Sequence, residues 1–166
     1  MPASFVTARL TAERLRPEHR EAIHAMHQDA EQMVWLGGVR TEAQTAAYMV
    51  RNLAHWDLYG FGLWLLRDET HQVVGRVLLR HLDLDGVDDV EVGYSLYPSW
   101  WGLGLAAEVS RACLDHAQQT LRLSSVVALT VSQNLRSQRV LTKLGMRFER
   151  DLQHDGKPHV LFRTHP

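Results

Sequence analysis

The sequence predicts a single α/β domain on a mixed sheet of about seven strands flanked by about four helices, in the order β-α-α-β-β-β-α-β-α-β-β. Three observations carry this reading. Apolar residues recur at helical spacing in four segments, and between them they alternate or run continuously as in strands. No linker, repeat or low-complexity tract divides the 166 residues, which makes residues 1–166 one domain. A chain of that length can bury one substantial core.

Taken in order, FVTARLTAERL roughly alternates and reads as one strand. In the next stretch Ala22, Ile23, Met26, Ala30, Met33 and Val34 fall at helical spacing, until Gly37 and Gly38 break the run. Thr41 opens a second helix expected to bury Ala46, Ala47, Met49, Val50 and Leu53. Three strands follow near 61–68, 73–82 and 89–97. They are antiparallel, because connections such as Asp85-Gly86 are too short for crossovers. A helix at 103–121 places Ala106, Val109, Cys113, Ala117 and Leu121 on one stripe, and a buried strand follows at 125–132. The strand before this helix and the strand after it form a parallel crossover unit. A short helix after Asn134 is closed by Gly145, and a final hairpin turns at Asp155-Gly156.

Composition narrows the function classes. A formal net charge of −1 and a pI near 6.8 provide no basic field for nucleic acid or an anionic membrane. Cys113 is the single cysteine, so no intrachain disulfide forms, and its helical stripe marks it as a buried structural thiol. MPASFVTARL has no signal-peptide pattern and no apolar run approaches the roughly 20 residues of a membrane span. A cytoplasmic protein is therefore expected. The ten histidines are scattered, without a His-Glu-x-x-His or a Cys/His cluster. No metal site is expected, and His24, His27, His154 and His159 read as surface or partly buried residues.

The informative stretch is YPSWWGLGLAAE, residues 97–108. A helix that starts after a glycine turn presents unpaired N–H groups and a positive end, which suit a phosphate. Gly102 and Gly104 would let phosphate oxygens approach, Ala106 and Ala107 keep the helix start narrow, and Glu108 complements the helix end. The Walker and dinucleotide-binding patterns are both absent. On spacing alone, Gly-x-Gly equally describes a turn that lets a strand and a helix pack closely.

With its neighbours, the stretch resembles the GNAT superfamily of acyl-CoA-dependent N-acetyltransferases, in its RimJ/RimL-like (ribosomal-protein alanine N-acetyltransferase) branch. TARLTAERLRP, VWLGG, GFGLWLL, VEVGYSLYPSWWGLGLAAE, NLRSQRVLTKLGMRFER and GKPHVLFR follow the order of that branch along nearly the whole chain. Gly104 and Ala106 match the second half of the superfamily's pyrophosphate motif, with Trp101 where Gln or Arg is usual. Leu103 replaces a common cationic residue, Met146 replaces a phenylalanine, and Leu141 occupies the position of the usual acidic tyrosine.

The resemblance implies acetyl-CoA as donor, coenzyme A as product, and a primary amine as acceptor, either a protein N-terminus or a small molecule. It implies direct attack on the thioester, its arm lying between strands 89–97 and 125–132. Cofactor contacts would come from Leu96, Tyr97, Trp101, Gly102, Leu103, Gly104, Leu105, Ala106, Ala107, Asn134, Ser137 and Lys143. Glu91 is the candidate base and Ser137 the candidate partner of the sulfur. Each has a plainer reading: an arginine-paired strand carboxylate for Glu91, a first-turn helix serine for Ser137, an N-cap for Asn134 and a solvated lysine for Lys143. Asp88 and Asp89 read as solvated. Trp35, Trp56 and His159 are the acceptor-site candidates, with core packing the alternative for the tryptophans. Two further readings stand beside catalysis: a non-catalytic acyl-CoA-binding sensor, and a structural domain. Edge strands could support a homodimer.

Overall fold

The computed structural model of the chain describes residues 4–165. Within them lie strands β1 (Ser4–Val6), β2 (Thr11–Arg14), β3 (Leu63–Arg67), β4 (Val73–Leu84), β5 (Val87–Leu96), β6 (Val127–Val131), β7 (Arg147–His154) and β8 (Lys157–Arg163). The helices are α1 (Arg20–Gln28), α2 (Ala30–Met33), α3 (Glu42–Tyr59), α4 (Leu105–Gln119) and α5 (Leu135–Lys143). One sheet has the order β1-β2-β3-β4-β5-β6-β8-β7, antiparallel throughout except for the β5–β6 pair. The expected antiparallel meander and parallel crossover are both present.

Three local expectations are corrected. The opening strand is a hairpin of two, because Thr7 N donates to Leu10 O at 2.8 Å and closes a turn. That raises the strand number from about seven to eight. The first helix breaks at Asp29, whose extended backbone ends α1 while its carboxylate accepts from Gln32 N and caps α2. Ala30 and Val34 are consequently exposed. In α3 the buried stripe is Thr45, Tyr48, Met49, Asn52 and Trp56, whereas Ala47 and Val50 face solvent. Apolarity misled here because this helix turns polar groups inward; Asn52 is satisfied by donating to Tyr48 O at 2.8 Å.

Register sorts the central residues onto two faces. Arg80 pairs with Glu91, Leu78 with Gly93 and Arg76 with Ser95, so the side chains of Arg76, Leu78, Arg80, Glu91 and Ser95 share one face. Gln32 of α2 donates to Ser95 Oγ at 2.9 Å, which places α2 on that face. Tyr94 is on the other face and reaches Ser137 of α5. Val109, Cys113 and Ala117 of α4 are fully buried in the main core.

The β5–β6 pair holds at one position only, Glu91 opposite Val127. Beside it the sheet is clamped: Arg163 binds Asp89 through both nitrogens, at 2.6 and 2.9 Å, and reaches Ser125 and Glu149. The Asp89 carboxylate is only 11% exposed, so the expectation of a solvated Asp89 is wrong. Asp88 pairs with His81 at 3.0 Å and stays mostly exposed. The clamp closes the start of β5 on β6 and β8, and beyond Glu91 no further pair joins β5 to β6 among the described residues.

Candidate active site

At the end of β5, Pro98–Trp100 form a short 3-10 turn, and Trp101 Nε1 donates back to Leu96 O at 2.9 Å. Gly102 and Gly104 both take left-handed backbone, at φ 76° and 78°. A Cβ on Gly102 would meet nothing within 4 Å, and one on Gly104 only Arg9 Nη2 at 3.6 Å. The glycines thus serve the bend and leave open space above it; close strand–helix packing is not their purpose. Gly104 is the N-cap of α4, and no side chain caps that end. Glu108 N is bonded back to Gly104 O at 3.0 Å. The N–H groups of Leu105, Ala106 and Ala107 point out of the positive end of a 15-residue helix.

Two arginines at this turn escaped the sequence reading. Arg9, in the β1–β2 turn, donates to Leu103 O and Glu108 Oε2, both at 2.8 Å. Burial alone would raise the Glu108 carboxyl, but hydrogen bonds from Thr7 and Arg9 outweigh it and hold it below the usual range. Arg136 lies over the Trp101 ring, 4.3 Å from its centroid. Arg9 thus contacts residue 103 itself and Arg136 the ring two residues before it, which brings two cations to a turn whose own residue 103 is apolar. No local signal could have revealed Arg9, because it is 94 residues from its partner.

Backbone alternation determines where β5 directs its free groups. Tyr97 N donates to Val74 O at 3.0 Å, so the neighbouring pair, Leu96 with Gly75, is a non-hydrogen-bonded one. Leu96 N–H therefore points away from β4, toward the gap beside β6. Pro98 ends the series because it has no N–H.

On the α5 side of the sheet, Tyr94 OH donates to Ser137 Oγ at 3.1 Å, and Ser137 N donates to the capping Asn134 Oδ1 at 3.2 Å. Burial raises the Tyr94 phenol, against smaller lowering by Ser137 and Arg136. Leu141 is a core residue at 2% exposure. Lys143 is exposed and lies with Leu135, Gln138, Arg139, Thr142 and Phe162 around a shallow groove of about 490 Å³. That groove is on a different side of α5 from Ser137, so Lys143 and Ser137 are not brought together.

On the opposite face, Glu91 is 7% exposed and its Oε2 accepts from Arg80 Nε at 2.7 Å. The pairing raises the Arg80 guanidinium. His159, register partner of Val131, shares this face across the gap, with Nδ1 2.9 Å from Lys157 O. Trp35 is exposed at 38% on the loop after α2. Trp56 is not at the site: it is 3% exposed, donates to Leu63 O at 2.8 Å and packs edge-on against Trp64. Its spacing fits a pocket wall equally well, but its depth makes it core.

His27 is buried beside this face, 2.8 Å from Thr45 Oγ1 and 3.1 Å from Arg40 Nη1. Desolvation, then Arg40, Arg76 and His24, lower its pKa from 6.5 to about 3. Between those values the unfolded chain binds a proton there that the native chain refuses, so stability falls as pH drops through the window. The slope from this residue is at most about 1.4 kcal/mol per pH unit. Urea unfolding at pH 7, 6 and 5 should give a shallower fall for His27→Gln; equal slopes would contradict a neutral buried imidazole.

Burial pushes the fully buried Cys113 thiol up, so it is no thiolate at neutral pH and no nucleophile. Among the described residues no group of three or more His, Cys, Asp or Glu could hold a metal ion, and no helix is long and apolar enough to cross a membrane.

A family model described as acetyltransferase (GNAT) domain matches residues 9–147. The uncharacterized protein YkkB of Bacillus subtilis (strain 168) is 27% identical over 135 residues, 81% of this chain and 78% of that protein. An acetyltransferase crystal structure from Agrobacterium tumefaciens str. C58 superposes with a TM-score of 0.86 at 26% identity, covering 100% of this chain and 95% of that one. RimL, a ribosomal L7/L12 alpha-N-protein acetyltransferase solved with coenzyme A, shares the fold at a TM-score of 0.79 and 15% identity, over 96% and 95% of the chains. With the match running from Arg9 through the glycine turn to Arg147, the chain belongs to the GNAT acetyltransferases, the family that takes its acetyl group from acetyl-CoA.

Proposed function

We propose that the protein moves the acetyl group of acetyl-CoA to a primary amine by direct attack on the thioester, as a RimJ/RimL-like enzyme of the cytoplasm. The observation that carries this reading is the Leu96 N–H, turned into a gap bridged only at Glu91 and Val127. In that position it polarises the thioester oxygen. The Leu105, Ala106 and Ala107 N–H groups bind the pyrophosphate, assisted by Arg9 and Arg136 in place of a cation at residue 103. Glu91 takes a proton from the ammonium through water. Tyr94 and Ser137 form the relay that returns a proton to the leaving thiolate, and this replaces the tyrosine missing at Leu141. A pair of copies joined through edge strand β1 or β7 is part of the same reading.

The test is a thermal unfolding series with acetyl-CoA, followed by coenzyme A thiol release over a panel of amines. Ligand at about 100 times its dissociation constant adds about 2.7 kcal/mol, a rise of about 5–10 °C here. No rise at millimolar ligand would refute the reading, and a rise without thiol release from any amine would leave an acyl-CoA sensor. Tyr94→Phe should lower kcat about tenfold or more with acetyl-CoA affinity kept. An unchanged kcat and pH profile would remove Tyr94 from the relay.

A further inference from the structure

The face of the sheet that carries Glu91 holds more positive charge than it neutralises. Arg80 has Glu91 as its partner, with Asp155 of the β7–β8 hairpin acting on it from farther away. Arg76 is only 8% exposed and, among the described residues, makes no ion pair and no side-chain hydrogen bond. Arg40, fixed by Arg40 N to His27 O at 3.1 Å and Gln28 Nε2 to Arg40 O at 2.6 Å, has, among the described residues, only His27 Nε2 as a side-chain partner. Desolvation and the charges of Arg76, Arg51 and Arg80 lower the Arg40 guanidinium, against the opposing influence of Tyr48. Both guanidiniums lie near the Tyr48 ring, 4.9 Å away for Arg40 and 5.6 Å for Arg76.

Two polar groups beside these arginines are buried without a partner among the described residues: Tyr48 OH, on a residue 3% exposed, and Gln32 Oε1, on a residue 5% exposed. Unpaired buried cations and orphaned polar atoms are each unfavourable. Here they lie together. Arg76 is opposite Ser95, one residue before the Leu96 N–H, and Gln32 reaches Ser95 Oγ.

Resting on the acetyltransfer reading, we propose that the acceptor is a small amine bearing an acidic group, a carboxylate or a phosphate, bound by Arg76, Arg40 and Tyr48 OH. Gln32 Oε1 accepts a hydrogen bond from its amine. Because Arg76 and Ser95 are paired strand neighbours, the acidic group lies a short carbon spacer from the nitrogen that attacks. A protein N-terminus followed by neutral residues does not fill this site.

Coenzyme A thiol release is measured for free amino acids against the same amino acids as carboxamides, and for 2-aminoethyl phosphate against ethanolamine. A neutral tripeptide amide completes the panel. Charge-assisted pairing predicts that the better acid exceeds its neutral counterpart in kcat/KM on the order of 10- to 100-fold. Whether the carboxylate or the phosphate arm carries the preference identifies the acid. Arg76→Gln and Arg40→Gln should each collapse the acid-to-neutral ratio through KM, and Arg76→Lys should keep part of it. Thermal midpoints and acetyl-CoA affinity confirm that the variants fold.

Neutral amines matching the acids, or ratios unmoved in both glutamine variants, would overturn the anionic acceptor and leave acetyl transfer standing. Calorimetric titration of the acids and amides into the coenzyme A-loaded protein gives the same ranking without turnover. Equal binding, or none from any acid, counts against the proposal. Failure of coenzyme A itself to bind would remove the underlying reading.

Discussion

Gly104→Glu is expected to abolish the acetyl-CoA-induced rise in thermal midpoint. Residue 104 takes left-handed backbone at φ 78°, which costs a side-chain-bearing residue about 1–2 kcal/mol. The folded protein has room for it, since only Arg9 Nη2 lies within 4 Å of the Cβ position. The loss therefore falls on the ligand: a carboxylate beside the Leu105–Ala107 N–H groups competes for them and repels phosphates. Affinity should fall at least 100-fold, which cuts the roughly 2.7 kcal/mol added by ligand at about 100 times the parent Kd to about 0.4 kcal/mol or less. Gly104→Ala carries the same backbone strain without the charge, so it should lose about 1–2 kcal/mol of stability and keep most of the rise. Were Gly104→Glu to respond to acetyl-CoA like the parent protein, the glycine turn would have no part in binding.

Glu91→Gln should lower kcat/KM for the amine by about 100-fold, the range of one acid–base group, with acetyl-CoA affinity unchanged. Glu91 is 7% exposed, on the strand that ends at the Leu96 N–H. Its Oε2 is held by Arg80 Nε at 2.7 Å, so a water carries the proton from the amine to the carboxylate in this reading. A purely structural Glu91 predicts something else. Removing it would strand Arg80, a loss of roughly 3–5 kcal/mol for a buried pair and less for a guanidinium 37% exposed, while the protein that remains folded turns over normally. Midpoint and kcat measured on the same preparation separate the two.

Most of the framework was legible along the chain. Period-2 and period-3.6 patterns located nearly every strand and helix, because burying one face constrains side chains at fixed local spacing. Asn134 as cap and Cys113 as core residue follow the same local rules. The misplaced elements arise partly from short turns and caps, the Thr7–Leu10 turn and the Asp29 cap, and partly from distant partners that override local preference. Arg163, 74 residues away, drew Asp89 out of solvent, and Glu108 draws Thr7 and Arg9 of the first turn to the start of α4. Trp56 illustrates the limit: its spacing was compatible with pocket or core, and only depth decides between them.

What the sequence by itself determined is therefore the element order, the glycine turn at the start of α4 and the membership those motifs announce. Each depends on residues within a few positions of one another. Only the tertiary structure decided which charges meet. It set Arg80 on Glu91, left Arg76 and Arg40 around Tyr48 without acidic partners among the described residues, and brought Tyr94 to Ser137 across 43 residues. The physical reason is that strand register and helix docking, which bring distant side chains within hydrogen-bond reach, are products of the whole core and leave no mark on local spacing.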